Sequence, residues 1–151
     1  MSTQTTTRTA RTATRTPAKR KRKTQLTMED VMTSQPMTIG RDQTLEVAHR
    51  MMRKERIRHL PVLEHGQLVG VLSQRDLYFL ETIAGVDLRN DRVEDAMSVD
   101  AYVVKPEDRV EQVAATMARR KLGCAVVLER DRVIGIFTAT DALAVLARQA
   151  N

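Results

Sequence analysis

The sequence predicts a mixed α/β (α+β) fold of two pseudo-symmetric β-α-β-β-α repeats behind a disordered basic N-terminal tail. Three observations carry that reading. The chain matches itself without a gap when shifted by 65 residues. Within each copy, short Val/Ile/Leu-rich runs alternate with apolar residues at helical spacing. The excess positive charge is confined to the first 24 residues.

In the self-match, Met28-Glu29-Asp30-Val31-Met32-Thr33 falls on Val93-Glu94-Asp95-Ala96-Met97-Ser98. Leu45-Glu46 falls on Val110-Glu111, and Met52 on Met117. Val62-Leu63-Glu64 falls on Val127-Leu128-Glu129, Gly70-Val71-Leu72-Ser73 on Gly135-Ile136-Phe137-Thr138, and Asp76 on Asp141. The unit is long for a solenoid repeat and short for an independent domain, so two copies are expected to bury their faces against each other.

Each copy opens with a helical turn, Glu29–Met32 in the first. Met37–Ile39 reads as a short strand. Thr44 is a plausible N-cap, with Leu45, Ala48 and Met52 on one helical face. In the second copy Val110, Val113, Ala114 and Met117 fit the i, i+3, i+4, i+7 template better. His59–Leu63 and Leu68–Leu72 form strands around a His65-Gly66 turn; Cys124–Leu128 and Val133–Phe137 do the same around Arg130-Asp131. A helix closes each copy, near Gln74–Ile83 and Ala139–Ala147. The strands do not alternate strictly, as expected of a sheet covered on both faces. The expected boundaries are a tail over 1–24, a first repeat over 25–84, a linker over 85–92 and a second repeat over 93–149.

The formal charge of +6 is a misleading average. The tail carries Arg8, Arg11, Arg15, Lys19, Arg20, Lys21, Arg22 and Lys23 and no acid; the remaining 17 basic residues face 19 acidic ones, so the rest of the chain sits near −2. Rich in Thr, Ala, Arg and Lys and interrupted by Pro17, the tail has nothing to bury. It reads either as an electrostatic anchor for nucleic acid or another polyanion, or as a solvated tail without a specific partner. Its acid-poor composition also matches an organelle transit peptide, against which stand the compact Lys19–Lys23 cluster and the missing apolar face.

Other features narrow the function. One cysteine, Cys124, permits no intramolecular disulfide and points to a reducing, cytoplasmic setting. No apolar run is long enough for a membrane span, and no secretory signal follows the charged start. His49, His59 and His65 have no metal-like spacing with Cys124, which reads as a buried strand residue. Met51 and Met52 read as core or interface filler. No nucleophile–base pair or paired carboxylates suggest catalysis.

Chemistry concentrates where each repeat ends: Gly70-Val-Leu-Ser73-Gln-Arg-Asp76 and Gly135-Ile-Phe-Thr138-Ala-Thr-Asp141. A hydroxyl followed three residues later by an acid has capping-box spacing and needs no ligand. The same geometry suits a nucleotide: the helix start and hydroxyl favour phosphate, and the carboxylate can accept from vicinal ribose hydroxyls.

The repeat spacing, the strand Arg58-His-Leu-Pro-Val-Leu63 and the doubled ending resemble the cystathionine-β-synthase (CBS) domain family, over about residues 28–80 and 93–146. The resemblance implies a CBS-domain pair, packed through its sheets, with two clefts that commonly take AMP, ADP, ATP or S-adenosylmethionine. It implies ribose contacts from Asp76 and Asp141 and phosphate contacts from Ser73 and Thr138. Adenine pockets would be lined by the strand regions Pro36, Met37, Thr38, Ile39 and Ala101, Tyr102, Val103, Val104. Arg58 and His59 resemble phosphate-contacting residues; read without a ligand, they are a strand-edge charge and a half-buried hydrogen-bonded histidine. Gly123 and Cys124 replace them in the second copy, and Val126 replaces Pro61, so unequal clefts are expected. The leading expectation is a non-catalytic sensor, with no required cofactor, an adenosine-containing regulatory ligand, a homodimer formed through helices, and an unidentified downstream partner. The alternatives are nonspecific nucleic-acid association through the tail and a structural dimerisation module with empty clefts.

Overall fold

The computed structural model describes residues 25–150. The tail and its eight basic residues lie outside them.

Each repeat begins with one helical turn, α1 (Met28–Val31) and α4 (Val93–Ala96). In α1 the Asp30 carboxylate accepts from the Thr27 N–H at 2.9 Å, and in α4 Asp95 accepts from the Arg92 N–H at 3.0 Å. These acids satisfy donors that a helix start leaves unpaired.

The long helices bear out the apolar spacing. Thr44 caps α2 (Leu45–Glu55) by accepting from the Val47 N–H at 3.3 Å, and Leu45, Ala48 and Met52 are buried. In α5 (Val110–Arg120) the buried residues are Val110, Val113 and Met117. Both end in a left-handed residue, Arg56 at φ 52° and Lys121 at φ 55°, a conformation that normally favours glycine.

Each helix leads into a hairpin. β3 (His59–Glu64) pairs antiparallel with β4 (Gln67–Ser73), and β6 (Cys124–Glu129) with β7 (Arg132–Thr138), with a register shift at the same place in both copies. α3 (Gln74–Glu81) and α6 (Ala139–Gln149) follow.

The upstream strands differ from expectation. β1 (Thr33–Ser34) belongs to the first repeat but pairs antiparallel with β7 of the second, Thr33 opposite Ile136 and Ser34 opposite Gly135. The chain turns at Gln35, in the left-handed region at φ 50°, and enters β2 (Ile39–Gly40), parallel to β3. Pro36, Met37 and Thr38 therefore form the crossing segment between two sheets, and Pro36 brings no N–H to a ladder. In the second copy only β5 (Val103–Val104) is a strand, parallel to β6, and Ala101 and Tyr102 precede it. The counterpart of β1 there is one bridge, Ser98 to Val71, with both N–H···O bonds at 2.9 Å. The sheets run β1-β7-β6-β5 and β2-β3-β4.

The first helical turns are exchanged in the same way. Met28 is fully buried with Val104, Val113, Val127 and Phe137 of the second repeat. Val93 is fully buried with Ile39, Leu60, Leu72 and Leu77 of the first. Burying an aliphatic side chain of this size is worth about 1.5–3 kcal/mol, so each core depends on a residue from the other copy. Gly70 and Gly135 admit the crossing segments: a Cβ on Gly70 would lie 2.6 Å from the Ser98 carbonyl oxygen, and one on Gly135 would meet the Met32 sulfur.

The repeats also clasp through their loops. The Leu45 N–H donates to Asp91 O at 2.9 Å, the Val93 N–H to Gln43 O at 2.8 Å, and the Met28 N–H to Asp108 O at 2.9 Å. At the first junction Arg41 bridges Glu64 and Glu94, both at 2.9 Å. The matching position at the second junction is Pro106, whose carbonyl accepts from the Glu29 N–H at 2.9 Å.

Candidate functional site

A first cleft, of about 680 Å³ and so named for the Arg58 and His59 of the first repeat that line it, lies where the repeats meet, within the range of small-molecule sites. One wall is the start of α6, with Thr138, Ala139, Thr140 and Asp141. The opposite wall is the segment leading into β3, from Glu55 through His59. Pro36, Met37, Ile57 and Ile136 are among its apolar lining residues.

Crossing places these groups face to face. The β6–β7 pairing sets Cys124 opposite Thr138, and the Ala139 N–H donates to the Gly123 carbonyl at 3.0 Å. Gly123 thus lies beside the helix start. A Cβ on it would come within 2.6 Å of His59 Nε2. The glycine that replaces Arg58 in the second copy is the socket that receives His59 of the first.

At the start of α6 the capping box is complete. The Asp141 N–H donates to Thr138 Oγ1 at 3.3 Å, while Asp141 Oδ2 accepts from the Thr138 N–H at 2.9 Å and from its hydroxyl at 3.1 Å. Oδ1 makes none of these bonds. α3 is capped more simply, with the Asp76 N–H donating to Ser73 Oγ at 3.0 Å and no return bond from the carboxylate.

Burial lowers the pKa of His59 below its ordinary value. The charge on Arg58 acts in the same direction, and Asp76 opposes both. Cys124 is a strand residue as expected but only half-buried rather than buried, because it opens β6; burial still raises its thiol to about 11, so it stays protonated at neutral pH. Among the described residues, no group of three His, Cys, Asp or Glu could hold a metal ion. Among them also, no helix is long and apolar enough to cross a membrane.

Of the residues singled out from sequence, the cleft brings together Arg58, His59, Pro36, Met37, Thr138 and Asp141. Ser73 and Asp76 stand at the matching start of α3. Thr38 is half-buried outside the cleft, and Ile39 is packed into the core at 4% exposure. Tyr102 packs beside the second core with the Arg120 guanidinium 5.5 Å from its ring centroid; Ala101 is half-buried and Val103 exposed. The sequence reading did not single out Glu55, Arg56, Ile57 or Thr140 as cleft residues. Arg56 and Lys121 did carry a signal, a basic residue at both copies of the helix end.

Two comparisons of sequence bear on this site. The CBS domain family model matches residues 28–80 and 93–148. Inosine-5'-monophosphate dehydrogenase of Korarchaeum cryptofilum is 35% identical over 106 residues, covering 70% of this chain but only 21% of that enzyme. The CBS domain-containing protein YhcV of Bacillus subtilis is 27% identical over 114 residues, covering 76% of this chain and 81% of YhcV.

Solved structures share the fold. An acetoin utilization protein (AcuB) of Vibrio cholerae aligns with a TM-score of 0.76 at 29% identity, over 83% of this chain and 93% of that one. The CBS domain pair of MJ0100, solved with 5'-methylthioadenosine and S-adenosyl-L-methionine, gives 0.76 at 22% identity. CBSX2, solved with AMP, gives 0.73 at 22%. Each of these two alignments covers 83% of this chain and 98% of the other. CBS-domain pairs are in general non-catalytic regulatory modules, and in the dehydrogenase named above the matched region is about a fifth of the chain. With both repeats matched over most of its length, this chain belongs to the CBS domain family.

Proposed function

We propose that the first cleft binds an adenosine-containing ligand and that the repeat pair transmits its occupancy as a regulatory signal. The observation that carries this is the meeting of Thr138 and Asp141 from one repeat with Arg58, His59, Pro36 and Met37 from the other. Pro36 and Met37 offer an apolar wall for a base. Asp141 Oδ1 can accept from ribose hydroxyls while Oδ2 keeps the cap. Thr138 can turn its hydroxyl from Asp141 to a phosphate, and Arg58 can meet that phosphate from the other side. The ligands of the MJ0100 and CBSX2 structures belong to the same chemical class. Because the cleft walls come from different repeats, a ligand touching both favours one relative placement of them and biases whatever partner reads it.

Self-association belongs to the same proposal. The last helices expose large apolar side chains: Tyr78 and Phe79 on α3, and Leu143 and Leu146 on α6, the last three between 63% and 67% exposed. A second copy of this chain would cover them, and replacing Leu146 with lysine should lower the mass measured by light scattering.

The deciding experiment is calorimetry on protein stripped of bound small molecules. AMP, ADP, ATP or S-adenosylmethionine should bind with micromolar affinity, on the order of −8 kcal/mol. Asp141→Ala should remove one binding component, and Arg58→Ala should weaken AMP more than adenosine. Saturation by none of the four ligands rejects the proposal.

A further inference from the structure

We infer that the first cleft selects a ligand of low net negative charge, a nucleoside or nucleoside monophosphate, and that Glu55 sets this limit. The inference rests on the nucleotide reading above and adds the class of ligand and a residue that decides it.

The cleft has two fixed cations, Arg56 and Arg58, and two carboxylates, Glu55 and Asp141. No ion pair engages Glu55, Arg56 or Arg58 among the described residues. His59 adds no full charge at neutral pH, because burial and Arg58 both favour its neutral form. The lining is therefore balanced. Asp141 is committed to the start of α6 through Oδ2. Glu55 has no such structural duty. It stands at the last position of α2, immediately before the left-handed Arg56, on the same wall as Arg58. A monophosphate can be met by the two arginines. A triphosphate brings further negative charge to a rim that already holds an exposed carboxylate, and like charges there repel.

The second repeat reverses this charge. Residues 55–59 read Glu-Arg-Ile-Arg-His, and residues 120–124 read Arg-Lys-Leu-Gly-Cys. The residue matching Glu55 is Arg120, drawn over the Tyr102 ring. A carboxylate at the end of α2 is therefore no requirement of the repeat. It also opposes the helix dipole, whose C-terminal end favours cations.

The test is calorimetric titration of wild type, Asp141→Ala, Glu55→Gln and Glu55→Lys with adenosine, AMP and ATP, at low and high salt. The component lost in Asp141→Ala reports the first cleft. In wild type that component should bind AMP at least as tightly as ATP. Glu55→Gln should tighten ATP about two- to fivefold at low salt, the range of an exposed charge pair, and leave adenosine unchanged. Glu55→Lys should tighten ATP further, and added salt should shrink both gains. Tighter wild-type binding of ATP than of AMP overturns the inference while leaving the nucleotide reading intact. So does a Glu55→Gln effect equal for all three ligands. Binding of none of the three by wild type overturns the nucleotide reading, and this inference with it.

Discussion

Thr138–Asp141 and Ser73–Asp76 hold matching places in the two repeats, a strand running into a helix, yet they are bonded differently. Asp141 returns its carboxylate to the Thr138 N–H and hydroxyl. Asp76 is held only through its own N–H to Ser73. The partners across the cleft diverge as well: Arg58 and His59 in the first copy become Gly123 and Cys124 in the second. A duplicated frame thus conserves geometry while its contacts specialise. Gly123 illustrates how. It has no side chain to offer a ligand, and its bareness gives His59 a place.

The sharpest way to probe the divergence is at the glycines where the repeats cross. Gly70→Ala should cost about 1–3 kcal/mol, because its Cβ would strike the Ser98 backbone, which is held by a pair of hydrogen bonds to Val71. Gly135→Ala should cost less, because its obstacle is the flexible Met32 side chain. Urea denaturation of both variants checks this, and equal costs would break the distinction between the two crossings.

The helix starts come next. Asp141→Ala should destabilise the unliganded protein by about 1 kcal/mol through loss of the capping box. Asp76→Ala, with no carboxylate bond to its cap, should cost less. Thermal melts at neutral pH compare them directly.

The hairpin turns predict a smaller effect of opposite sign. His65-Gly66 and Arg130-Asp131 occupy the same place, all four with positive φ, but the second turn lacks the glycine. Asp131→Gly should stabilise by roughly 0.5–1 kcal/mol by relieving the left-handed residue at φ 61°. Gly66→Asp should lose stability in turn.

His59 gives the mildest signature. Its folded pKa lies below the ordinary value, so below about pH 6.5 the unfolded chain binds more protons than the folded one. Stability is therefore full above that pH and falls as the solution is acidified toward the lowered folded pKa. His59 is neutral at neutral pH, but a phosphate in the cleft favours its protonated form once the solution is acidified, so AMP binding should strengthen as pH falls below neutrality. His59→Gln should flatten both profiles, whereas Cys124, the matching residue, contributes no titration near neutrality because its pKa is raised to about 11.

The sequence by itself determined the duplicated unit, both long amphipathic helices, both hairpins and both hydroxyl-to-aspartate endings. Those features are local or repeat at a fixed offset: a helical face is written every three or four residues, and a cap within three. Tertiary structure alone decided how the copies interlock. β1 consists of two polar residues whose strand partners among the described residues lie about 100 residues away in β7, and no short-range pattern encodes such a pairing. Met28 and Val93 look like ordinary apolar residues at the start of their own repeats, yet each fills the core of the other. The cleft follows from that exchange. Thr138 and Asp141 could be found by motif and Arg58 by resemblance, but their meeting, and the place of Glu55 and Gly123 between them, exist only once each repeat has handed its first turn to its neighbour, because neither core is filled without it.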